Sequence, residues 1–442
     1  AIGHLAMTYV DTSAADYNIG IGYSALAGGT DMGYFNIAKG SSAMLANSAV
    51  DYCIAIGASA LRGVMTSAAD GTIAIGGSAA NAITSGGGNI AIGYAAMSVH
   101  TTGHRNIAIG YNAMLDTNAG STAQDSDDNV FIGYVAGGGT WANTKSEQNV
   151  AIGNYSMDGA LDQASSNTAV GYGTLGSLTT GDHHVAIGAE ALTSNTTGTR
   201  NTAVGREALE ANTTASNNTA VGYLALTANT TGTLNTALGQ SALAANTTGE
   251  NNTAVGRQAL LVNTTGDHNT SMGSNSLTAN TTGKENSAIG SGSLKFNTTG
   301  NYNSALGNAA LSANTTGDYN NAVGDVALYN NTTGEGNSAF GNNALHSNTT
   351  ANANTAIGYR SLYENTTGAN NTALGYDAGD VITTGSQNVI IGSSSDPSAN
   401  SGANQIVIGY GATGHGDNIA VIGNGSATAI HPHDDNEVDL GS

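Results

Sequence analysis

The chain has 442 residues, of which only 9% are charged, and a formal net charge of −21. That balance excludes binding to nucleic acid through its phosphates, and ten scattered basic residues make no patch. The single cysteine, Cys53, excludes an internal disulfide framework, and no run approaches the ~20 apolar residues of a membrane span.

No signal peptide is visible, and a start at Ala1 is expected of a processed product or a piece of something longer. The length alone predicts roughly three domains. An internal repeat overrides that prior, because stacked coils extend one body. Residues 1–170 form irregular coils with glycines at 3, 22, 40, 57, 76, 93, 110, 133, 153 and 171. Cys53, within Tyr52-Cys53-Ile54, is expected to be a small buried residue. From Gly171 to Gly409 the glycine returns at every seventeenth residue, and this stretch is expected to be a regular shaft. Residues 410–442 form a terminal coil and an exit segment.

Numbered from this glycine, the four preceding residues read Asn-Thr-Ala-Val at 201–204 and Asn-Ile-Ala-Ile at 89–92 and 106–109. This predicts a short strand of period two. Positions −3 and −1 share one face, and −1 is almost always Val, Ile or Leu, so that face is expected to point inward. The other face carries Ala at −2 and the glycine, and is expected to pack on partner chains through Ala203, Gly205, Ala220, Gly222, Ala237 and Gly239. Three chains are the simplest closed arrangement. After the glycine come two variable residues and Ala-Leu at +3 and +4, as in Ala225-Leu226, the leucine being a second interior anchor. The coil then turns through Asn-Thr-Thr-Gly. Eleven consecutive coils carry Asn-Thr-Thr, from Asn195 to Asn365, and stacked asparagines and threonines are expected to form side-chain ladders. Those tripeptides also match the glycosylation sequon, and are read here as structural. The predicted fold is all-β: a repetitive parallel β-roll, or solenoid, of ~17-residue coils assembled as a homotrimeric rod. At about 4.8 Å per coil, the steps from Gly3 to Gly423 would span roughly 115 Å.

The phrases Asn-Ile-Ala-Ile-Gly at 89–93 and 106–110 and Asn-Val-Ala-Ile-Gly at 149–153 resemble the head repeat of YadA-type trimeric adhesins. The resemblance covers nearly the whole chain. It implies a trimeric left-handed parallel β-roll, of a kind found in bacterial adhesins and in bacteriophage tail fibres. Family coils are often fourteen residues long, as from Gly409 to Gly423; the seventeen-residue coil lengthens the turn. The phrase Asp435-Asn436…Leu440-Gly441-Ser442 resembles the junction before the C-terminal chaperone of phage fibres, which is cleaved away after trimerisation. The resemblance therefore implies a virion tail or an extracellular cell surface, with a host glycan or protein receptor as partner.

The largest insertions lie between Gly110 and Gly153, and insertions on a solenoid become lateral loops suited to recognition. Trp141, the only tryptophan, offers a sugar platform; its plainer role is to cover the flank of the roll. Asp125, Asp127 and Asp128 have calcium-binding chemistry but lack the EF-hand spacing, so a solvated loop is the plainer reading. Tyr111 and Tyr134 belong to a series that follows the glycine and is expected to stack into ladders, for glycan contact or for shielding a corner. His431-Pro432-His433 would bring six imidazoles together near a trimer axis, enough for an octahedral transition metal, and some of the phage fibres it resembles hold iron this way. Otherwise no cofactor is expected. His183-His184 is a weaker pair pointing to opposite faces. No catalytic constellation is visible, so the chain is not expected to be an enzyme. The threonine ladder at Thr213, Thr230 and Thr247 raises ice binding as a third function, after a phage fibre and an adhesin head.

Overall fold

A computed structural model describes residues 1–8, 17–28, 33–47, 49–115, 125–141 and 144–426. They divide into two units, 1–251 and 252–442, each a parallel β-solenoid of ~17-residue coils. The first unit carries β1 (Ile19–Ile21) through β13 (Thr236–Leu238); the second carries β14 (Thr253–Val255) through β24 (Ala420–Ile422). Every strand is three residues long and lies at positions −3 to −1, as the alternation predicts. Successive strands pair parallel with no slip: Thr202 faces Thr219, Ala203 faces Ala220 and Val204 faces Val221. The second unit repeats this, with Ser287 on Ser304, Ala288 on Ala305 and Ile289 on Leu306.

Two buried asparagine ladders fix that register. At position −4, the Asn218 backbone N–H donates to Asn201 Oδ1 (2.9 Å) and Asn218 Nδ2 donates to the Gly232 carbonyl (2.8 Å). At position +7, Asn212 Nδ2 donates to Asn195 Oδ1 (2.8 Å) and to the Ala215 carbonyl (3.1 Å). Each amide thus serves its own turn and its neighbour's, as a buried polar group must. The ladder ends where the sequence ends it. Ile382 stands at the next +7 position after Asn365, and Asn365 Oδ1 is buried without a hydrogen-bond partner. Threonine +8 completes the set, with Thr298 Oγ1 donating to the Thr315 carbonyl at 2.9 Å.

The recurring glycine has a local cause. Gly222 sits at φ +140°, and a Cβ there would lie 2.5 Å from the Gly239 carbonyl oxygen of the next coil. Its role is close stacking of coil on coil within one chain.

The orientation of the strand is the reverse of the expected one. Ala203, Ala220 and Ala237 are fully buried inside the single chain, together with Ala +3 and Leu +4, as in Ala225 and Leu226. Positions −3 and −1 face outward: Leu238 is 47% exposed and Leu306 49%. The alanines of the side-chain-free face therefore line the coil, unavailable to partner chains, while Gly205, Gly222 and Gly239 are half-buried and stack coil on coil. The interior between strand and opposite wall is narrow, and Leu +4 with two asparagines already fills most of it. Only an alanine-sized side chain fits beside them from the strand.

Candidate functional site

The interrupted coils of the first unit were the expected recognition region. Trp141 is fully buried there, its Nε1–H donating to the Gly137 carbonyl at 3.0 Å. It packs edge-on against Phe131, with ring centroids 5.5 Å apart. Phe131 occupies the −2 position that holds alanine in most coils, on β7 (Val130–Ile132), and is also fully buried. A Cβ on Gly137 would collide with the Phe131 ring, which explains the glycine after the turn. The expectation that Trp141 is an exposed receptor platform is therefore corrected: its N–H is satisfied and its ring lies in the core.

Asp125 and Asp127 of the same region line a surface groove of about 450 Å³ with Ser85, Thr102, His104 and Lys145, and Asp128 lies beside them in sequence. Their carboxylates are already engaged. Asp127 Oδ1 accepts the His104 backbone N–H at 2.6 Å, and Lys145 Nζ lies 3.9 Å from Asp127 and 3.4 Å from Glu147. Asp125 accepts the Thr102 hydroxyl. Asp128 pairs bidentately with Arg105 at 2.6 and 2.9 Å, and this hydrogen-bonded pairing holds its carboxyl below the usual range. The three aspartates thus tie one coil to its neighbour. Among the described residues no group of three or more His, Cys, Asp or Glu is arranged to hold a metal ion. His431 and His433 lie outside the described residues.

Tyr111 and Tyr134 are exposed members of a continuous ladder, Tyr94–Tyr111–Tyr134–Tyr155–Tyr172. Neighbouring centroids are 5.3 to 5.8 Å apart; the first two contacts are face to face and the last two edge-on. Shorter ladders recur at other corners, such as Tyr302–Tyr319 at 5.0 Å.

Two histidines replace asparagines in the ladders. His184 Nδ1 accepts the Asn201 backbone N–H at 3.2 Å and its Nε2 lies 2.7 Å from the Gly198 carbonyl, a neutral Nε2–H tautomer. Burial lowers its pKa. His100, also buried, lies with Nε2 3.2 Å from Asn106 Nδ2, and desolvation lowers its pKa to about 4. His183, by contrast, is exposed. Cys53 is buried as expected, and desolvation pushes its thiol up to about 11, so it is inert packing.

The reasoning from sequence missed the apolar stripe at position −1. In the second unit Met272, Ile289, Leu306, Phe340, Ile357 and Leu374 are exposed, and Val255, Val323, Ile391 and Ile408 at the same position are half-buried. Its signal was present in the sequence as the same residues, assigned to the wrong side. No family model and no curated protein matches this chain. Among the described residues no helix is long and apolar enough to cross a membrane.

Proposed function

We propose that the chain is a structural attachment fibre whose copies pack together as a homotrimer through their strand faces. One observation carries this: an aliphatic side chain is turned outward at the same strand position in coil after coil. A row of outward-facing apolar side chains, exposed or half-buried from coil to coil, marks an interaction surface. A partner that meets every rung must share the rise of the coils, and a second copy of this chain does. The resemblance to YadA-type heads supplies the number three and the extracellular setting.

Within that class, we favour a bacteriophage tail fibre binding the host cell surface, because the phrase Asp435-Asn436…Leu440-Gly441-Ser442 resembles a fibre–chaperone junction. The alternative is the head of a bacterial trimeric adhesin or another cell-surface filament. This reading assigns the chain no catalytic step. Ice binding draws less support, because the threonine hydroxyls of the ladder are turned to the carbonyls of the next coil, as in Thr230 Oγ1 to Thr247 at 3.0 Å. Immunogold electron microscopy with an antibody to the purified chain separates the readings. Label on virion tails is expected, label on a bacterial envelope carries the alternative, and label on neither overturns both.

A further inference from the structure

One ladder of large side chains in the second unit omits a rung. At position +5, Tyr329, His346 and Tyr363 stack with centroids 5.5 and 5.1 Å apart, nearly parallel in the first pair. The preceding coil carries Ser312 at this position, and the coil before that carries Lys295 followed by Phe296. Lys295 Nζ lies 4.9 Å from the centroid of the Phe296 ring. Large side chains therefore stand on both sides of a serine. The floor is widened by Gly292, where a Cβ would meet nothing within 4 Å. The result is an open groove of about 370 Å³ that also takes in Asn308. That volume is within the range of small-ligand sites.

We propose that this groove binds one pyranose ring of a saccharide, inserted at the vacant rung over Ser312 between Phe296 and Tyr329. Lys295 and Tyr329, at the same position two coils apart, are separated by about 10 Å along the stack, room for one flat ring, with Phe296 one residue beyond Lys295. Phe296 is half exposed and presents an apolar ring to the C–H face of a sugar. The Lys295 ammonium and the Asn308 amide, whose Nδ2 also donates to Asp325 Oδ1 at 3.0 Å, line the groove to meet the sugar's hydroxyls, and the nearly buried Ser312 forms its floor. None of the lining residues belongs to a strand, so packing through the strand faces leaves the groove open.

The inference rests on the attachment reading and gives it a ligand class. Its test is saturation-transfer NMR on the intact chain with methyl glycosides of glucose, galactose, N-acetylglucosamine and glucuronic acid, and with indole as the aromatic control. At least one glycoside should receive saturation on its ring-face protons. Ser312→Tyr should abolish that transfer by supplying the missing rung; the substitution suits the fold because tyrosine stands at the equivalent place in Tyr329 and Tyr363. Phe296→Ala should weaken binding at least tenfold, with an unchanged melting temperature. Lys295→Gln should weaken glucuronide binding selectively. Binding of indole alone, or glycoside binding that survives Ser312→Tyr, overturns the groove. Adsorption of the wild-type chain to bacterial cells is scored in parallel. Adsorption without glycoside binding removes the groove and leaves the attachment reading standing; glycoside binding without adsorption removes the attachment reading instead.

Discussion

The coils between Gly110 and Gly153 and the coils of the second unit solve the same packing problem in opposite ways. In the regular coils the interior is filled mainly by alanine, leucine and asparagine, with Ser271, Ile382, Ile390 and Val407 among the buried exceptions. In the interrupted coils the large rings of Phe131 and Trp141 fill the interior instead, packed edge to face. A break in the period therefore marks a change in the core. Grooves lie in both regions, beside Asp125 and Asp127 in the interrupted coils and beside Ser312 where the period is unbroken.

Both regions share the glycine rung, so breaking it should have the largest effect. Gly375 sits at φ +146°, and a Cβ there would lie 2.5 Å from the Gly392 carbonyl oxygen. Gly375→Val should cost more than about 4 kcal/mol and melt the second unit, read by circular dichroism. Next, Trp141→Ala should destabilise the first unit by about 3–5 kcal/mol, the usual cost of emptying a buried aromatic site. An unchanged melting temperature would return Trp141 to the surface role expected from sequence.

The histidine rung at His100 gives the first unit a pH dependence of its own. The folded pKa of His100, about 4, lies below its unfolded value near 6.5. The unfolded chain therefore binds the extra proton first, and stability is lost as pH falls from about 6.5 toward 4. The loss should reach roughly 3 kcal/mol. His100→Asn, which places a ladder residue there, should flatten the acid limb of the melting curve. The smallest effect compares two rungs of the asparagine ladder. Asn314 uses both ends of its amide, whereas the carbonyl end of Asn365 has no partner. Asn314→Ala should cost about 2 kcal/mol and Asn365→Ala about 1 kcal/mol less, measured by urea unfolding.

Much of this was legible in the sequence. The period set the coil, the alternation set each strand to within a residue, and the Asn-Thr-Thr phrase announced the ladders. The direction of each strand was not legible. Alternation says that Ala220 and its flanking residues Thr219 and Val221 face opposite ways, but not which way is in. Hydrophobicity argued for Val221 inside; the width of the coil, which only the closed structure reveals, put Ala220 there. Trp141 was misplaced for the related reason that its loop looked like decoration until Phe131 was seen to need a neighbour. The Ser312 groove was missed because it joins residues from several coils at a position that no strand pattern marks.

The claim that copies meet on the outward strand face is tested most directly by light scattering. The wild-type chain should show about three times the single-chain mass of 43.7 kDa. The double variant Leu306→Asp, Leu374→Asp, altered only at exposed positions, should fall to the single-chain mass with an unchanged circular dichroism spectrum. A wild-type mass of 43.7 kDa, or a double variant that keeps the larger mass, would contradict it.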